Sequence, residues 1–301
     1  MKKIVAVVVT YNRKKLLKEN LNALLNQSYK DFDILLIDNA STDGTKEYVK
    51  EELENEKITY INTGANLGGA GGFNFGVREA IERGYDYAWL MDDDTIPTET
   101  ALESLANKTE LLKGDFSFLS SLCKWTDGNI ATMNKQIITY EYIFEYEKIY
   151  NNLLLVERAS FVSFYVNLSV AKKVGLPYKE FFIYGDDWEY CLRLNNEKKG
   201  YLDLDSVVIH KMASNVGADI YNVGKDRIKR NYFNYRNLTF TYRKRSKREL
   251  FKFLLECLYQ FVQVPFKAKN HRLKRMWTIM KGNIVGLVFN PKIEYAEVKN
   301  K

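Results

Sequence analysis

Short apolar runs alternate with helical segments through the first third of the chain, and this alternation most constrains the fold. The run 4–9 is continuous and rich in β-branched residues, which is typical of a strand buried on both faces. Similar runs follow at 33–37, 58–61 and 85–91, and each is separated from the next by a segment of helical length. Strands that alternate with helices favour a parallel sheet with right-handed crossovers. We therefore expect an α/β fold with a mostly parallel sheet flanked by helices.

Polar residues follow each of the four predicted strands. In an open parallel sheet, the carboxyl ends of the strands meet at one edge, where ligands bind. We therefore expect one site built from four loops. These loops are Thr10-Tyr11-Asn12, Asp38-Asn39, the glycine-rich segment 62–72, and Asp92-Asp93-Asp94.

The aspartate triplet predicts a cation site. Three adjacent carboxylates repel one another, so a cation beside them is expected. In an extended segment, residues i and i+2 point the same way, so Asp92 and Asp94 share one side and Asp93 points away. Carboxylates of this kind bind Mg²⁺ or Mn²⁺, usually together with phosphate oxygens. The alternative is a solvated acidic turn before a helix opened by Pro97.

The loop 66–74 contains four glycines in five residues. Glycine lets the backbone approach a ligand closely, and amides at a helix N-terminus attract a diphosphate. The spacing does not fit the dinucleotide-binding fingerprint, and the loop follows the third strand. A tight structural turn before a helix at 73–82 is the alternative.

A second acidic cluster lies in the middle of the chain, before a helix predicted at 190–195. Asp186 is placed to act as a general base, because a carboxylate can take a proton from a hydroxyl group. For Asp187, a simple helix cap is the alternative to a catalytic role. Trp188 looks exposed, although a buried aromatic fits the sequence at least as well. His210 ends another apolar strand and is either a metal ligand or a structural histidine.

Charge divides the chain into an acidic body and a basic tail. From Lys225 onward there are 20 Lys+Arg against 5 Asp+Glu, whereas the preceding residues hold 25 against 33. Basic residues flank the apolar stretch 250–266, which suggests a helix lying on an anionic bilayer. A helical cap packed on the catalytic domain is the alternative. The chain contains no recognised nucleic-acid module, so we expect no nucleic-acid partner.

The compartment is predicted from the cysteines and the N-terminal segment. The three cysteines are scattered and odd in number, which fits a reducing cytoplasm rather than a disulfide framework. The segment 1–4 leads into a strand too short for a signal peptide. No run of about 18 apolar residues follows, so we expect no membrane-spanning helix.

The order of the motifs resembles the family 2 inverting glycosyltransferases of GT-A fold, over residues 3–215. The motifs are Val-Thr-Tyr-Asn, Asp-Asn-Ala-Ser-x-Asp-Gly-Thr, Asp-Asp-Asp, Gly-Asp-Asp-x-Glu and a late His. The stretch 67–73, with Phe-Ile-x-x-Asp-Asp, is most similar to the galactofuranosyltransferase branch, and the rhamnosyltransferases are close neighbours. The resemblance implies a Rossmann-like GT-A catalytic domain at 1–220, with a nucleotide-sugar half at 1–95 and an acceptor half at 96–220. The basic helical region at 221–301 would then contact the membrane.

The resemblance also assigns roles to residues. Thr10, Tyr11 and Asn12 would border the nucleotide base, and Asp38 would bond its imide. The ribose, diphosphate and donor sugar would lie near Asn66, Gly69, Asn74, Arg78, Asp92 and Asp93. Mn²⁺ or Mg²⁺ would be bound by Asp92, Asp94 and His210. Asp186 would be the base, with Asp187 second, and Trp188 would bind the acceptor.

The implied activity is an inverting, metal-dependent transfer from a nucleotide-diphosphate sugar to a growing glycan. UDP-galactofuranose is the first candidate donor, and dTDP-rhamnose is the alternative. The glycan would be a lipid-linked, cell-surface polysaccharide, so the enzyme would lie on the inner face of the cell membrane. A non-catalytic homologue that binds sugar nucleotides is a rival of a different class.

Overall fold

The computed structural model describes residues 2–215 and 219–299, which fold around one mixed sheet. Its strands are β1 (Ile4–Thr10), β2 (Phe32–Asp38), β3 (Ile58–Asn62), β4 (Tyr87–Asp92), β5 (Thr95–Pro97), β6 (Phe118–Lys124), β7 (Ile137–Ile138), β8 (Leu153–Arg158), β9 (Phe164–Asn167) and β10 (Gly200–His210). The strand order is β3-β2-β1-β4-β9-β6-β10-β8-β7, and β5 pairs with β10. Strands β5, β8 and β9 run against the direction of the others. The predicted α/β fold with a mostly parallel central sheet is confirmed.

Helices cover both faces of the sheet and form the C-terminal region. They are α1 (Lys14–Leu25), α2 (Thr45–Tyr48), α3 (Lys50–Leu53), α4 (Gly68–Glu82), α5 (Ala101–Leu111), α6 (Tyr146–Ile149), α7 (Leu168–Val174), α8 (Asp186–Asn195), α9 (Lys225–Arg245), α10 (Lys247–Lys267) and α11 (Arg272–Val288). Alternate residues of β1 face two apolar clusters. Val7 packs in the cluster with Val77 of α4, and Val8 packs in the cluster with Leu21 of α1. A strand with both faces buried needs no polar alternation, which explains the continuous β-branched run.

The first four strands end at one edge of the sheet. In the parallel ladders, Thr10 lies opposite Asp38, Val9 lies opposite Asp92, and Asp38 lies opposite Asn62. The loops that follow these strands therefore begin side by side, as the sequence predicts.

The glycine-rich segment differs from its prediction as a loop, because helix α4 already begins at Gly68. A Cβ atom on Gly76 would lie 2.3 Å from Val7 Cγ1, and one on Gly72 would lie 2.5 Å from Val9 Cγ1. These two glycines therefore let α4 pack closely on β1, and this packing explains part of the glycine content. One other helix boundary also differs, because α8 begins at Asp186 rather than at residue 190.

The C-terminal helices pack together, and the chain then returns to the catalytic body. Helix α9 packs against both α10 and α11. After α11, Ala296 enters the apolar cluster of the sheet, and Leu176 N donates to Glu294 O at 2.8 Å. In residues 2–215 and 219–299, no helix has the length and apolar character needed to cross a bilayer.

We predict that Gly76→Ala destabilises the protein by about 1–3 kcal/mol, because the new methyl group overlaps Val7 at the interface between helix and sheet. The measurement is the free energy of unfolding in urea. Gly69→Ala is the matched control on the same helix, because its Cβ would meet no atom within 4 Å. Equal stability of the two variants would contradict the packing role of Gly76.

Candidate active site

The loops after β1 and β2 are tied to each other by Asn12 and its neighbours. Asn12 N donates to Ser41 Oγ at 2.9 Å, and Thr42 N donates to Asn12 Oδ1 at 2.7 Å. Asn12 has a left-handed backbone with φ 56°, which asparagine tolerates better than most residues. Tyr11, which directly precedes Asn12, is 41% exposed, so its ring is accessible to a ligand at this edge.

Asp38 is an interior residue of this edge, only 1% exposed. Its Oδ1 accepts from Ser41 N at 2.8 Å, and its Oδ2 accepts from Tyr60 OH at 2.7 Å. Burial and this hydrogen bond raise the pKa of Tyr60 to about 12. The structure thus uses Asp38 to hold the β2 and β3 ends together, and its predicted contact with a nucleotide base stays a prediction.

Only the first aspartate of the triplet belongs to β4. The strand ends at Asp92, and Asp93 and Asp94 form a turn, so the extended geometry from which Asp92 and Asp94 were paired is wrong. Asp93 instead accepts from Thr10 Oγ1 at 2.7 Å and from Tyr11 N at 3.4 Å. Its carboxylate therefore fixes the loop after β1.

Asp94 meets His210 and Arg13. Its Oδ1 lies 3.0 Å from His210 Nε2, and its Oδ2 accepts from Arg13 Nη1. On the far side of the imidazole, Asn134 Oδ1 lies 2.8 Å from Nδ1, so Nδ1 donates and Nε2 faces Asp94. Nothing in the sequence motifs singles out Arg13, although a cation three residues after β1 is the partner that an acidic triplet requires.

The carboxylates at this edge differ in charge state. Burial, and then the charge of Asp94, raise the pKa of both Asp92 and Asp93. Burial opposes ionisation of Asp94 as well, but His210 and Arg13 hold the pKa of Asp94 below its usual range. Asp94 therefore ionises more readily than Asp92 or Asp93, and a further cation beside them would favour ionisation of those two.

The donor set suits a hard divalent ion. Carboxylate oxygens with one imidazole are ligands that Mn²⁺ accepts, and an imidazole held at Nδ1 by an amide oxygen presents Nε2 as a ligand. Within the described residues, no group of three or more His, Cys, Asp or Glu side chains is arranged to hold a metal. Asp94 and His210 converge, whereas the predicted third ligand, Asp92, does not complete a cage with them. Phosphate oxygens of a substrate would supply the missing ligands.

Asp186 and Asp187 open helix α8. Gly185 precedes them with φ 80°, and Asp186 is 8% exposed. Burial, and then the charge of Asp187, raise the pKa of Asp186, while burial raises that of Asp187. Asp187 Oδ1 accepts from Trp188 N at 2.7 Å. The charge of Asp186 also raises the pKa of Asp92, so the two acidic clusters are close enough to interact.

Trp188 is buried rather than exposed, with 7% of its surface accessible. The Arg158 guanidinium lies 3.6 Å above its ring, and the Tyr242 ring packs edge-on at 4.7 Å between centroids. The prediction that Trp188 offers an open platform to an acceptor sugar is therefore wrong. Its ring joins α8 to α9 instead.

Three residues predicted to bind the donor contact other protein groups: Asn66 before α4, and Asn74 and Arg78 within it. Asn66 Oδ1 accepts from Gly68 N at 2.9 Å and so begins the helix. Asn74 Nδ2 and Arg78 Nη2 lie 3.2 Å and 2.9 Å from Glu294 Oε2 in the C-terminal segment. Both line a cavity of about 350 Å³ between α4 and that segment. Their donor-binding roles stay predictions, because the structure pairs them with a carboxylate.

Known proteins share sequence or fold with this chain. The family model described as "Glycosyl transferase family 2" matches residues 5–165. Galactofuranosyltransferase GlfT1 of Mycolicibacterium smegmatis is 38% identical over 101 residues, which is 34% of this chain and 33% of that protein. The match thus spans about a third of the relative's length.

A second relative extends over most of the chain. The GalNAc(5)-diNAcBac-PP-undecaprenol β-1,3-glucosyltransferase of Campylobacter jejuni is 23% identical over 296 residues, covering 89% of this chain and 91% of that protein. Among solved structures, the mannosyltransferase PcManGT of Pyrobaculum calidifontis, in complex with GDP-Man and Mn²⁺, has a TM-score of 0.59 at 16% identity. That likeness covers 95% of this chain and 86% of the other, and it confirms the expected GT-A fold.

We predict that Asp186→Asn stabilises the metal-free protein at neutral pH by about 1–3 kcal/mol. The native carboxyl binds its proton more tightly than the unfolded one, whose pKa is near 3.8. Wild-type stability should therefore fall as pH rises above that value, and the variant should lack this loss. Urea unfolding between pH 4 and pH 8 measures the difference.

Asp205→Asn is a control of opposite sign, because a hydrogen bond from Lys108 lowers the pKa of Asp205. Its stability should drop at neutral pH and match the wild type at low pH. Unchanged or lower stability of Asp186→Asn at pH 8 would contradict the raised pKa.

Proposed function

Because the chain belongs to glycosyl transferase family 2, we propose that it transfers galactofuranose from UDP-galactofuranose to a lipid-linked glycan, with inversion at the anomeric carbon. The observation that carries the reaction class is the contact of Asp94 with His210, together with the charge interaction between Asp92 and the buried Asp186. The donor sugar is supported by the 38% identity to a galactofuranosyltransferase over 101 residues. The acceptor is supported by the second relative, whose name states an undecaprenol-linked substrate and which matches most of the chain.

Asp186 is the proposed general base. A carboxylate whose pKa is raised by burial can take a proton from a sugar hydroxyl as the hydroxyl oxygen attacks the anomeric carbon. Attack from the face opposite the leaving nucleotide inverts the centre in one displacement. Asp187 is held by Trp188 N at the helix start, which favours a supporting role for it.

Asp94 and His210 are the proposed metal ligands, and Arg13 holds Asp94 in place until the ion binds. A bound Mn²⁺ or Mg²⁺ would neutralise charge on the diphosphate leaving group. Tyr11 and the open face at Gly69 are the proposed contacts of the nucleotide, because Tyr11 is exposed and no atom lies within 4 Å of a Cβ built on Gly69.

The outer surface of α10 and α11 is the proposed membrane contact. Large apolar side chains recur on each helix at intervals of three or four residues and remain exposed, a pattern typical of helices that lie in a bilayer interface. These residues are Phe251, Leu255, Leu258, Tyr259, Val262 and Phe266 on α10, and Leu273, Trp277, Met280, Ile284, Leu287 and Val288 on α11. The basic residues of the same helices complement anionic lipid headgroups. The enzyme would then work at the inner face of the membrane, beside a lipid-linked acceptor.

A donor panel tests the reaction. We expect UDP release from UDP-galactofuranose with Mn²⁺ and a prenyl-linked glycan, little release from dTDP-rhamnose, UDP-glucose or UDP-galactose, and none in EDTA. Asp186→Asn should lower kcat on the order of 10²–10⁴-fold, because it removes the base. Asp127→Asn, at an exposed loop, is the matched control and should keep full activity.

Each outcome of the panel assigns one part of the proposal. Turnover with dTDP-rhamnose alone would replace the donor, and turnover in EDTA would remove the metal. Full activity of Asp186→Asn together with loss in Asp187→Asn would transfer the base to Asp187.

Vesicle sedimentation tests the membrane surface. We expect binding to vesicles of phosphatidylcholine with phosphatidylglycerol, weakened by salt, because each basic residue near the surface contributes about 1 kcal/mol. Leu258→Glu and Trp277→Glu should reduce this binding. Tyr140→Ser, at an aromatic residue exposed outside the C-terminal helices, should leave it unchanged. Equal binding to purely neutral vesicles would contradict the electrostatic part of the proposal.

A further inference from the structure

The segment that leads into Asp186 has an unfavourable backbone. Phe182, Tyr184 and Gly185 all adopt left-handed conformations, with φ of 63°, 68° and 80°. For Phe182 and Tyr184 this region is disfavoured by contact between Cβ and the backbone, so the segment needs support from outside. We call residues 181–185 the base loop.

Asn237, in the middle of α9, supplies that support from a fully buried position. Its Nδ2 donates to three carbonyl oxygens of the base loop: Phe181 at 3.0 Å, Ile183 at 3.2 Å and Tyr184 at 2.8 Å. A primary amide has two N–H donors, and here both are directed at one short loop.

Arg236 contacts the same loop from the neighbouring position. Its Nη2 donates to Glu180 O at 2.6 Å and to Phe181 O at 3.3 Å, while its Nε donates to Asn237 Oδ1 at 2.9 Å. The guanidinium also lies 4.1 Å from the centroid of the Phe289 ring. Arg236 thus orients the Asn237 amide so that its donors face the base loop.

The other side of the base loop is held by α4. Phe182 O accepts from Ala70 N at 3.2 Å, and a Cβ on Gly68 would lie 2.2 Å from the same oxygen. The loop is therefore enclosed between the helix start proposed to face the donor and the helix that carries Asn237.

Helix α9 is itself fixed by close contact with α11. A Cβ on Gly282 would lie 2.6 Å from Tyr235 Cβ, and one on Gly286 would lie 2.6 Å from Arg236 O. With both glycines, α11 presses directly on the turn that carries Arg236 and Asn237.

We propose that Asn237 and Arg236 are positioning residues, which hold the base loop in its left-handed conformation and thereby aim the Asp186 carboxylate at the acceptor hydroxyl. The inference rests on the proposed role of Asp186 as general base. It gives the basic C-terminal region a part in the reaction, in addition to any contact with a membrane.

The test compares Asn237→Asp, which keeps the shape of the side chain but replaces its donors by an acceptor, with Asn237→Ala. Asn231→Ala is the matched control, because Asn231 is a buried asparagine of the same helix that donates to Arg227 O within α9. Three measurements are made on the full chain: steady-state kinetics with the donor the wild type uses, which give kcat and KM, the affinity for UDP, and hydrogen exchange of amides 182–189.

Both Asn237 variants should lose kcat on the order of 100-fold, the effect of a misplacement of about 1 Å, while KM for the donor and UDP affinity stay unchanged. Amides 182–189 should exchange faster in both, while those of β1 and β4 keep wild-type rates. The Asn231→Ala control should match the wild type in all three measurements.

Wild-type kcat in either folded Asn237 variant, or unchanged exchange in the base loop, would overturn the proposal. A fall in UDP affinity equal to the fall in kcat would overturn it as well, because it would show a general structural role. If Asn237→Asp does not fold, Asn237→Ala decides by the same criteria. An inactive wild type would refute the proposed function. Hydrogen exchange needs no turnover, so the exchange of amides 182–189 would still decide whether Asn237 holds the base loop.

Discussion

The structure depends on the burial of several carboxylates at one edge of a parallel sheet. Desolvation and the charge of a neighbouring aspartate oppose ionisation of Asp92, Asp93 and Asp186, whereas His210 and Arg13 favour the ionised form of Asp94. Such a cluster lowers the stability of the fold, and it persists only where surrounding groups hold each carboxylate in place. Thr10 holds Asp93, and Arg13 with His210 holds Asp94, while α9 and α4 hold the loop before Asp186. The same carboxylates are the groups proposed to bind a divalent ion and to act as the base.

Much of the fold could be predicted from the sequence, because its signals are local. A β-branched run such as 4–9 can form a strand buried on both faces without any distant partner, and the alternation of strands and helices leaves few topologies. The register follows, so that Thr10, Asp38 and Asp92 end at one edge. The start of helix α4 is not predicted by its own residues. Its glycines have low helix propensity, and only the close approach of β1 makes them favourable there.

The parts of the site that the sequence does not predict are long-range contacts. Arg13 meets Asp94 across 81 positions, Asn74 meets Glu294 across 220, and Asn237 meets Tyr184 across 53. No spacing rule relates such pairs, since each depends on how the elements pack. Trp188 shows the same limit, because its burial follows from Arg158 above its ring and Tyr242 at its edge. A sequence window around Trp188 contains neither residue.

Of the two alternatives for the basic tail, the cap on the catalytic body describes α9, whereas the membrane contact is the proposal made for α10 and α11. Arg236 and Asn237 of α9 donate hydrogen bonds to backbone oxygens at the base loop, so α9 packs on the catalytic body. Helices α10 and α11 keep apolar side chains such as Leu258 and Trp277 exposed, as an interfacial helix must. Because α11 contacts α9 through Gly282 and Gly286, a surface that engages α11 lies one helix away from the loop that carries the base. The helices that would meet the lipid therefore pack against α9, and α9 holds the loop that is proposed to aim Asp186.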